Sequence, residues 1–374
     1  MIYVALPTPH GAEGAEGTGH EGARRRLSFY LAMEEHVARA MDTGGDCFFM
    51  WQVEPSVIFG RNQLIENEVN LDFCRRRGIA MYRRKSGGGC VYADMGNVML
   101  SYVTRDENVA FTFNRYLNLV ALTLHRLGIE ARVSGRNDIM VASPRRVAGS
   151  AASAVAPSAE GEGREWRKVS GNAFYHILGH SIVHGTLLYD TNMENMVGAI
   201  TPSSEKLVSK GVESVRQHIA LLKDHTTLSL DELMAFVRRN MCSSEVTLTA
   251  ADIRAIEERE REYLSDEFVY GRNPRYSVTR RRRLESVGEM EARMELKNGA
   301  VRRINLLGDF FVVGDLDGQL LGRLRGVELE EEALRQALPE RLDDIIAHLD
   351  REAFIGFLTG HGGGETPTRQ RKTI

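Results

Sequence analysis

The stretch Arg83-Arg84-Lys85-Ser86-Gly87-Gly88-Gly89-Cys90-Val91-Tyr92-Ala93-Asp94-Met95-Gly96-Asn97 decides how this chain is read. Three consecutive glycines separate a basic segment from an apolar one. Without Cβ atoms, that patch of main chain can adopt positive φ or let a ligand lie directly on it. The arginines ahead of it carry fixed positive charge on a forked donor, suited to phosphate or carboxylate. No Gly-Lys-Ser/Thr follows at P-loop spacing, and contiguous glycines are not the dinucleotide-binding fingerprint.

Working outward, apolar residues at helical spacing predict a helix over 27–41, and strands follow at 48–51 and 56–59. Asn70 caps a helix that ends before Gly78, and strands at 79–83 and 98–103 flank the glycine run. A helix over 113–127 stops at Gly128; 139–141 is a short strand, 169–183 holds two strands, and 230–241 is a helix. Residues 142–167 are rich in Ala, Ser and Gly and read as an inserted hairpin loop. A charged helix over 249–264 reads as a bridge. Strands at 277–284, 290–297, 301–307 and 310–313 follow, with a hairpin turn at Asn298-Gly299, then helices at 330–338 and 343–349. Residues 8–24 read as a loop and 361–374 as a disordered tail.

At 374 residues two domains are expected: 1–248, the bridge 249–264, and 265–360. Apolar content of 43% and charged content of 26% describe a globular protein, and a net charge of −3 offers no general attraction to nucleic acid or anionic membrane. Cys47, Cys74, Cys90 and Cys242 show no metal spacing and read as reduced thiols of a cytoplasmic protein. No stretch reaches the ~20 apolar residues of a membrane span. His176, His180 and His184 recur every four residues, which on a helix would favour a metal, but the flanking residues favour strands, which scatter them. The arginine runs 24–26 and 280–283 read as solvated faces or carrier contacts rather than a nucleic-acid platform.

The glycine stretch resembles the signature of lipoate–protein ligases, and four further segments match that family in order. They are Ser28-Phe29-Tyr30-Leu31-Ala32-Met33-Glu34-Glu35; Glu54-Pro55-Ser56-Val57-Ile58-Phe59-Gly60-Arg61-Asn62-Gln63; Gly135-Arg136-Asn137-Asp138-Ile139-Met140-Val141; and Lys168-Val169-Ser170-Gly171-Asn172-Ala173 with His184-Gly185-Thr186-Leu187-Leu188. From Phe268 onward the chain is more loosely similar to the small accessory domain of the two-domain members. The resemblance implies an α/β (α+β) catalytic domain of the kind shared by biotin and lipoate ligases and class II synthetase cores, followed by a small α+β accessory domain.

It also implies a reaction. ATP activates lipoate to lipoyl-AMP, and the lipoyl group passes to a lysine on a lipoyl carrier domain of a 2-oxoacid dehydrogenase complex or the glycine cleavage H protein. Lys168 matches the family lysine that bridges acyl carbonyl and α-phosphate, a charge stabiliser rather than a nucleophile. Arg146 begins a rival copy of the same motif upstream. Arg84 matches the phosphate arginine, and Ser86, Gly87, Gly88, Gly89, Cys90, Val91 and Tyr92 the strip that receives ATP and lipoyl-AMP. Asn137 and Asp138 match the element beside the triphosphate, with Asp138 a natural Mg²⁺ ligand. Gly185 and Thr186 would wall an apolar lipoyl channel with no charge at its end, where each buried CH₂ contributes ~0.8 kcal/mol. Cys90 stands where the family has Ala, and Ala93 where His is common. Two other functions remain open at this stage: an octanoyl or lipoyl transferase of the same superfamily that uses a Cys nucleophile and no ATP, and a non-catalytic lipoyl- or nucleotide-binding module.

Overall fold

The computed structural model describes residues 1–7, 25–41, 44–63, 65–106, 108–134, 137–143, 165–200, 218–269, 278–297 and 299–360. The chain forms two compact units. The first is Met1–Ile58, Val69–Tyr82 and Val91–Leu264; the second is Phe59–Glu68, Arg83–Cys90 and the chain from Ser265 on.

The first unit opens with strand β1 (Ile2–Ala5), helix α1 (Leu27–Ala40), β2 (Cys47–Trp51) and β3 (Ser56–Phe59). Next come α2 (Leu71–Arg77), β4 (Ala80–Arg83), β5 (Val91–Ala93), β6 (Asn97–Thr104) and α3 (Val109–Arg126). Then follow β7 (Ala131–Ser134), β8 (Asp138–Ala142), β9 (Trp166–Ile177), β10 (His180–Leu188), α4 (Met193–Ile200), α5 (Leu230–Met241), β11 (Ser244–Thr247) and α6 (Ala250–Leu264). Eight strands make one mixed sheet in the order β11-β1-β2-β6-β10-β9-β8-β7, and β4-β3-β5 form a small separate sheet. β2 and β6 are fully buried; β2 is a continuous apolar run, as a strand covered on both faces favours, while β6 also buries Asn97, Ser101 and Thr104.

Local chemistry sets the element ends. Asn70 accepts from Phe73 N at the start of α2, and Gly78 closes it at φ +65°. α5 carries a capping box between Ser229 and Glu232. α3 begins a turn earlier than the 113 expected from apolar spacing, because Asn108 caps it by accepting from Phe111 N. The β9–β10 hairpin turns through Leu178 at φ +49° and Gly179 at φ +74°. Its strands scatter His176, His180 and His184.

The charged helix read as a bridge is α6, which packs along α1 within the first unit. Its seam is polar but buried. Ser28 Oγ donates to Glu260 Oε1 (2.6 Å), Tyr263 donates to Glu35, and His36 Nε2 meets Asp252 Oδ1 at 2.9 Å. Ile256, Glu260 and Tyr263 are buried. Counting charges along the helix missed the buried face, on which Glu260 itself lies.

In the second unit β12 (Val278–Leu284), β13 (Gly288–Lys297) and β14 (Ala300–Gly308) form an antiparallel sheet, with Gly299 at φ +83° in the expected turn. Helices α7 (Glu331–Ala337) and α8 (Arg351–Thr359) follow. Their core gathers Met290, Met294, Phe310, Leu320, Phe354 and Phe357. Two expectations fail here. Residues 310–313 make no strand beyond one bridge, Val312 to Ile346, and 343–349 is a run of turns rather than a helix. Leu342, Ile345, Ile346 and Leu349 mimic helical spacing because each is pulled into the core individually. Asp350, which accepts from Ala353 N, and Gly360 at φ +84° bound α8, which the sequence reading passed over. The 8–24 loop, most of the 142–167 insert and the 361–374 tail lie outside the described residues.

Candidate active site

Within the first unit, three adjacent strands hold Asp138, Lys168, Gly185 and Thr186 of the expected residues, with Asn137 directly ahead of β8. β8 pairs with β9 in a register that places Asp138 opposite Gly171 and Met140 opposite Lys168, with an irregularity between Ile139 and Met140. That irregularity carries Lys168 toward Asp138, and Nζ lies 2.7 Å from Oδ1. The two side chains are 39% and 31% exposed, so the pair contributes no more than about 1 kcal/mol and can be exchanged for a ligand at little cost. A Cβ on Gly171 would lie 3.0 Å from both Cε and Nζ of Lys168, so the glycine keeps open the lane in which the ammonium sits. The Lys168 main chain is fixed as well: its carbonyl accepts from Ala220 N (2.8 Å).

Asn137 and Asn172 clasp each other. Asn137 Nδ2 donates to Asn172 O (2.8 Å), Asn172 Nδ2 donates to Asn137 O (3.0 Å), and Asn172 N donates to the same carbonyl (3.0 Å). Asn137 thus holds Asp138 in place through the main chain. Asn172 was not singled out in sequence. Its side chain lies over Gly185, where a Cβ would fall 1.9 Å from Oδ1. Thr186 Oγ1 accepts from Gly171 N (3.3 Å), so the expected channel residues and the lysine share one hydrogen-bonded patch.

Next to Gly185 in β10 lies a feature the sequence reading missed. Glu34 is fully buried in α1; it accepts from His184 Nδ1 (2.9 Å to Oε2) and from Ser101 Oγ (2.6 Å), which in turn accepts from Trp51 Nε1 (2.9 Å). Burial of a carboxylate requires such partners. Two adjacent glutamates inside the apolar pattern of α1 were the available signal.

The second unit holds the glycine run. Arg84 is only 4% exposed; its Nε donates to Ser86 Oγ (2.9 Å) and its Nη2 to the carbonyls of Gly87 (2.6 Å) and Gly89 (2.7 Å). Gly88 sits at φ +84° and donates its N–H to Phe310 O (3.2 Å). A Cβ on Gly87 would fall 2.3 Å from Phe310 O, one on Gly88 2.9 Å from the Phe311 ring, and one on Gly89 would meet nothing within 4 Å. Gly87 therefore lets main chain approach main chain, Gly88 makes room for the Phe311 ring, and of the three Gly89 alone faces open space. Arg83 supports the loop from below, donating through Nη1 to the carbonyls of Gly60, Arg61 and Gln63.

Cys90 is half-buried. In the first unit, Tyr92 is 2% exposed, and burial together with the neighbouring Asp94 pushes its hydroxyl pKa up, so it is a neutral core group. Val91 and Tyr92 can offer a ligand mainly their main chain. Gly135, Arg136 and the rival Arg146 lie outside the described residues. Among the described residues no group of three His, Cys, Asp or Glu side chains could hold a metal ion, and Asp138 stands as a single carboxylate beside Lys168.

Similarity to known proteins extends over most of the chain. The bacterial lipoate protein ligase C-terminus family matches residues 273–358. Lipoate-protein ligase LplJ of Bacillus subtilis (strain 168) is 29% identical over 340 residues, 88% of this chain and 95% of its own length. Lipoate–protein ligase 1 of Staphylococcus aureus is 31% identical over 317 residues, 82% and 89%. Among solved structures, Plasmodium falciparum LipL1 in complex with lipoate superposes with a TM-score of 0.63 at 19% identity, covering 90% of this chain and 93% of that one. A bipartite lipoate protein ligase of Thermoplasma acidophilum, studied with its E2 lipoyl domain, gives 0.57 at 24% identity (74% and 98%). A lipoate-protein ligase A bound with ATP gives 0.54 at 22% identity (72% and 98%). The lipoyl protein ligase A/B catalytic domain family matches residues 27–241, more than half of the chain; the protein belongs to that family and is an enzyme of the ligase class.

Proposed function

We propose that this ligase works in two steps. Lipoate's carboxylate attacks the α-phosphate of ATP, forming lipoyl-AMP and expelling pyrophosphate. A carrier lysine amine then attacks the acyl carbonyl, the amide forms with loss of the amine proton, and AMP leaves. The observation that carries this reading is Lys168, held by Asp138 in a lane that Gly171 keeps open, beside Thr186. An ammonium so placed neutralises charge that develops on the phosphate and then on the carbonyl oxygen.

Asp138 positions Lys168, and Asn137 positions Asp138. Arg84, Ser86 and Gly87–Gly89 with the main chain of Cys90–Tyr92 are assigned to ATP and lipoyl-AMP. Arg84 reaches phosphate by exchanging its contacts to Gly87 O or Gly89 O, a near-even trade of one charge-assisted bond for another. Gly185 and Thr186 are assigned to the lipoyl channel. The donor set fits Mg²⁺ only as an ion delivered with the phosphates, Asp138 supplying one carboxylate once it leaves Lys168; the ion would offset charge on the leaving pyrophosphate. The carriers are lipoyl domains of 2-oxoacid dehydrogenase complexes or the glycine cleavage H protein. The place is the cytoplasm; no described helix is long and apolar enough to cross a membrane.

Pyrophosphate release measured in parallel with lipoate, octanoate and biotin tests the proposal. Lipoate-dependent release that Lys168→Ala cuts by about 10²–10³ supports it. Release indifferent to lipoate, or an acyl thioester trapped on Cys90 without ATP, would move the assignment to the transferase.

A further inference from the structure

A cavity of about 410 Å³ opens in the first unit on the sheet face opposite Lys168. The register establishes the side. Val141 pairs with Arg167 and Met140 with Lys168, and since cross-strand partners share a face while successive residues alternate, Arg167 and Val141 lie behind the sheet. Arg167, Lys223 and His225 line the cavity with Asp190 and Asp224.

Part of this charge is already matched. Lys223 Nζ meets Asp190 Oδ1 at 2.8 Å. Arg167 is satisfied on one side only. One arm of its fork meets the exposed Glu165 at 2.8 Å, but its Nε is buried and has no hydrogen-bond partner among the described residues. A buried donor left unsatisfied calls for a reason. His225 stands in the same wall, its pKa lowered by burial and by Arg167 against the opposing pull of Asp224. A single negative charge would satisfy Arg167 Nε and let His225 take up a proton. A polyphosphate would meet Asp190 and Asp224. Met193, Ile219 and Leu221 give the wall an apolar part.

We propose that this cavity is a second ligand site, for a small monocarboxylate with an apolar body, its carboxylate on Arg167 and His225 and its body on Ile219 and Leu221. The occupant would bear on the strand that carries the reactive lysine, because Ile219 bridges to Lys168 and the adjacent Ala220 donates to its carbonyl. The site would therefore serve an effector rather than a reactant.

The test is an NMR titration of the His225 ring signal in the full chain, assigned by its loss in His225→Gln, with hexanoate and benzoate as probes and hexanol and pyrophosphate as controls. Both carboxylates should shift the signal saturably and raise the His225 pKa, since a nearby anion favours the imidazolium; the controls should not. Arg167→Lys, which keeps the charge but loses the fork, should weaken binding about tenfold. Lys168→Ala should bind hexanoate unchanged while losing ligation, which separates this site from the reaction itself. Absence of a saturable shift, equal affinity in Arg167→Lys, or loss of the shift in Lys168→Ala would each overturn the proposal.

Discussion

Gly171→Ala separates the chemistry of this site from its stability. The glycine lies in β9 without positive φ, so an alanine is conformationally allowed and should stabilise the strand by about 0.4–1 kcal/mol through the unfolded chain. The new methyl would arrive 3.0 Å from both Cε and Nζ of Lys168, against an ordinary contact nearer 3.5–4.0 Å. The neighbour is the far end of a flexible side chain, so the ammonium gives way and the fold does not. A displacement of several tenths of an ångström breaks the 2.7 Å approach to Asp138 and moves the charge from where the phosphate and acyl oxygens develop theirs. A 1 Å misplacement typically costs ~10²-fold, so the expected loss in lipoate-dependent pyrophosphate release is about tenfold. Thermal unfolding monitored alongside should show a midpoint unchanged or slightly raised. Full activity, or an activity loss that tracks a fall in stability, would refute the argument that Gly171 exists to make room for the lysine.

The three glycines of the loop should respond differently. Gly88→Ala meets both a positive φ and the Phe311 ring and should destabilise the protein by about 1–3 kcal/mol in denaturant titration, whereas Gly89→Ala should leave stability unchanged, so any activity it loses reports on the ligand. Glu34→Ala strips partners from His184 and Ser101 in a dry environment and should cost about 3 kcal/mol by chemical unfolding. Burial raises the Cys74 and Cys242 thiols to about 11, so at pH 8 both stay protonated and alkylation followed by mass spectrometry should reach Cys90 first; Cys90→Ala should keep most ATP-dependent activity. Hydrogen bonds from Thr249, and His36 beside it, hold the Asp252 carboxyl below its usual pKa, so its contribution is full above about pH 3.8 and lost as pH falls through the folded value. Asp252 is partly exposed, so the contribution is small, and Asp252→Asn should lower stability at pH 7 by less than about 1 kcal/mol and flatten the acid limb.

Where local chemistry decides an element, sequence sufficed. Asn70 and Gly78 mark the ends of α2, the turn between β13 and β14 follows from Asn298-Gly299, and Lys168 lies against Asp138, two residues drawn from separate motifs. Where tertiary packing decides, it did not. The leucines and isoleucines of 342–349 are buried by turns. Glu34 finds its partners on strands 67 and 150 residues away. The glycine run was readable as a place needing bare main chain, but not as one where Phe310 supplies much of what approaches it. That pairing joins residues more than 200 apart in sequence, and no local pattern encodes it.

The second unit is assembled from three separate lengths of chain, and this orders events during synthesis. Segments 59–68 and 83–90 leave the ribosome early, but Gly88 N finds the Phe310 carbonyl, and Asn62 O the Gly308 N–H, only after some 220 further residues have been made. At 5–20 residues per second that interval is roughly ten to forty seconds. Throughout it the glycine loop has Arg84 as its own fastener and the 59–61 main chain beside it, but not the Phe310 carbonyl. A chain halted before residue 308 would carry the motif by which its sequence is recognised and lack the packing that shapes it. Early chain termination should therefore damage the loop as directly as a substitution within it.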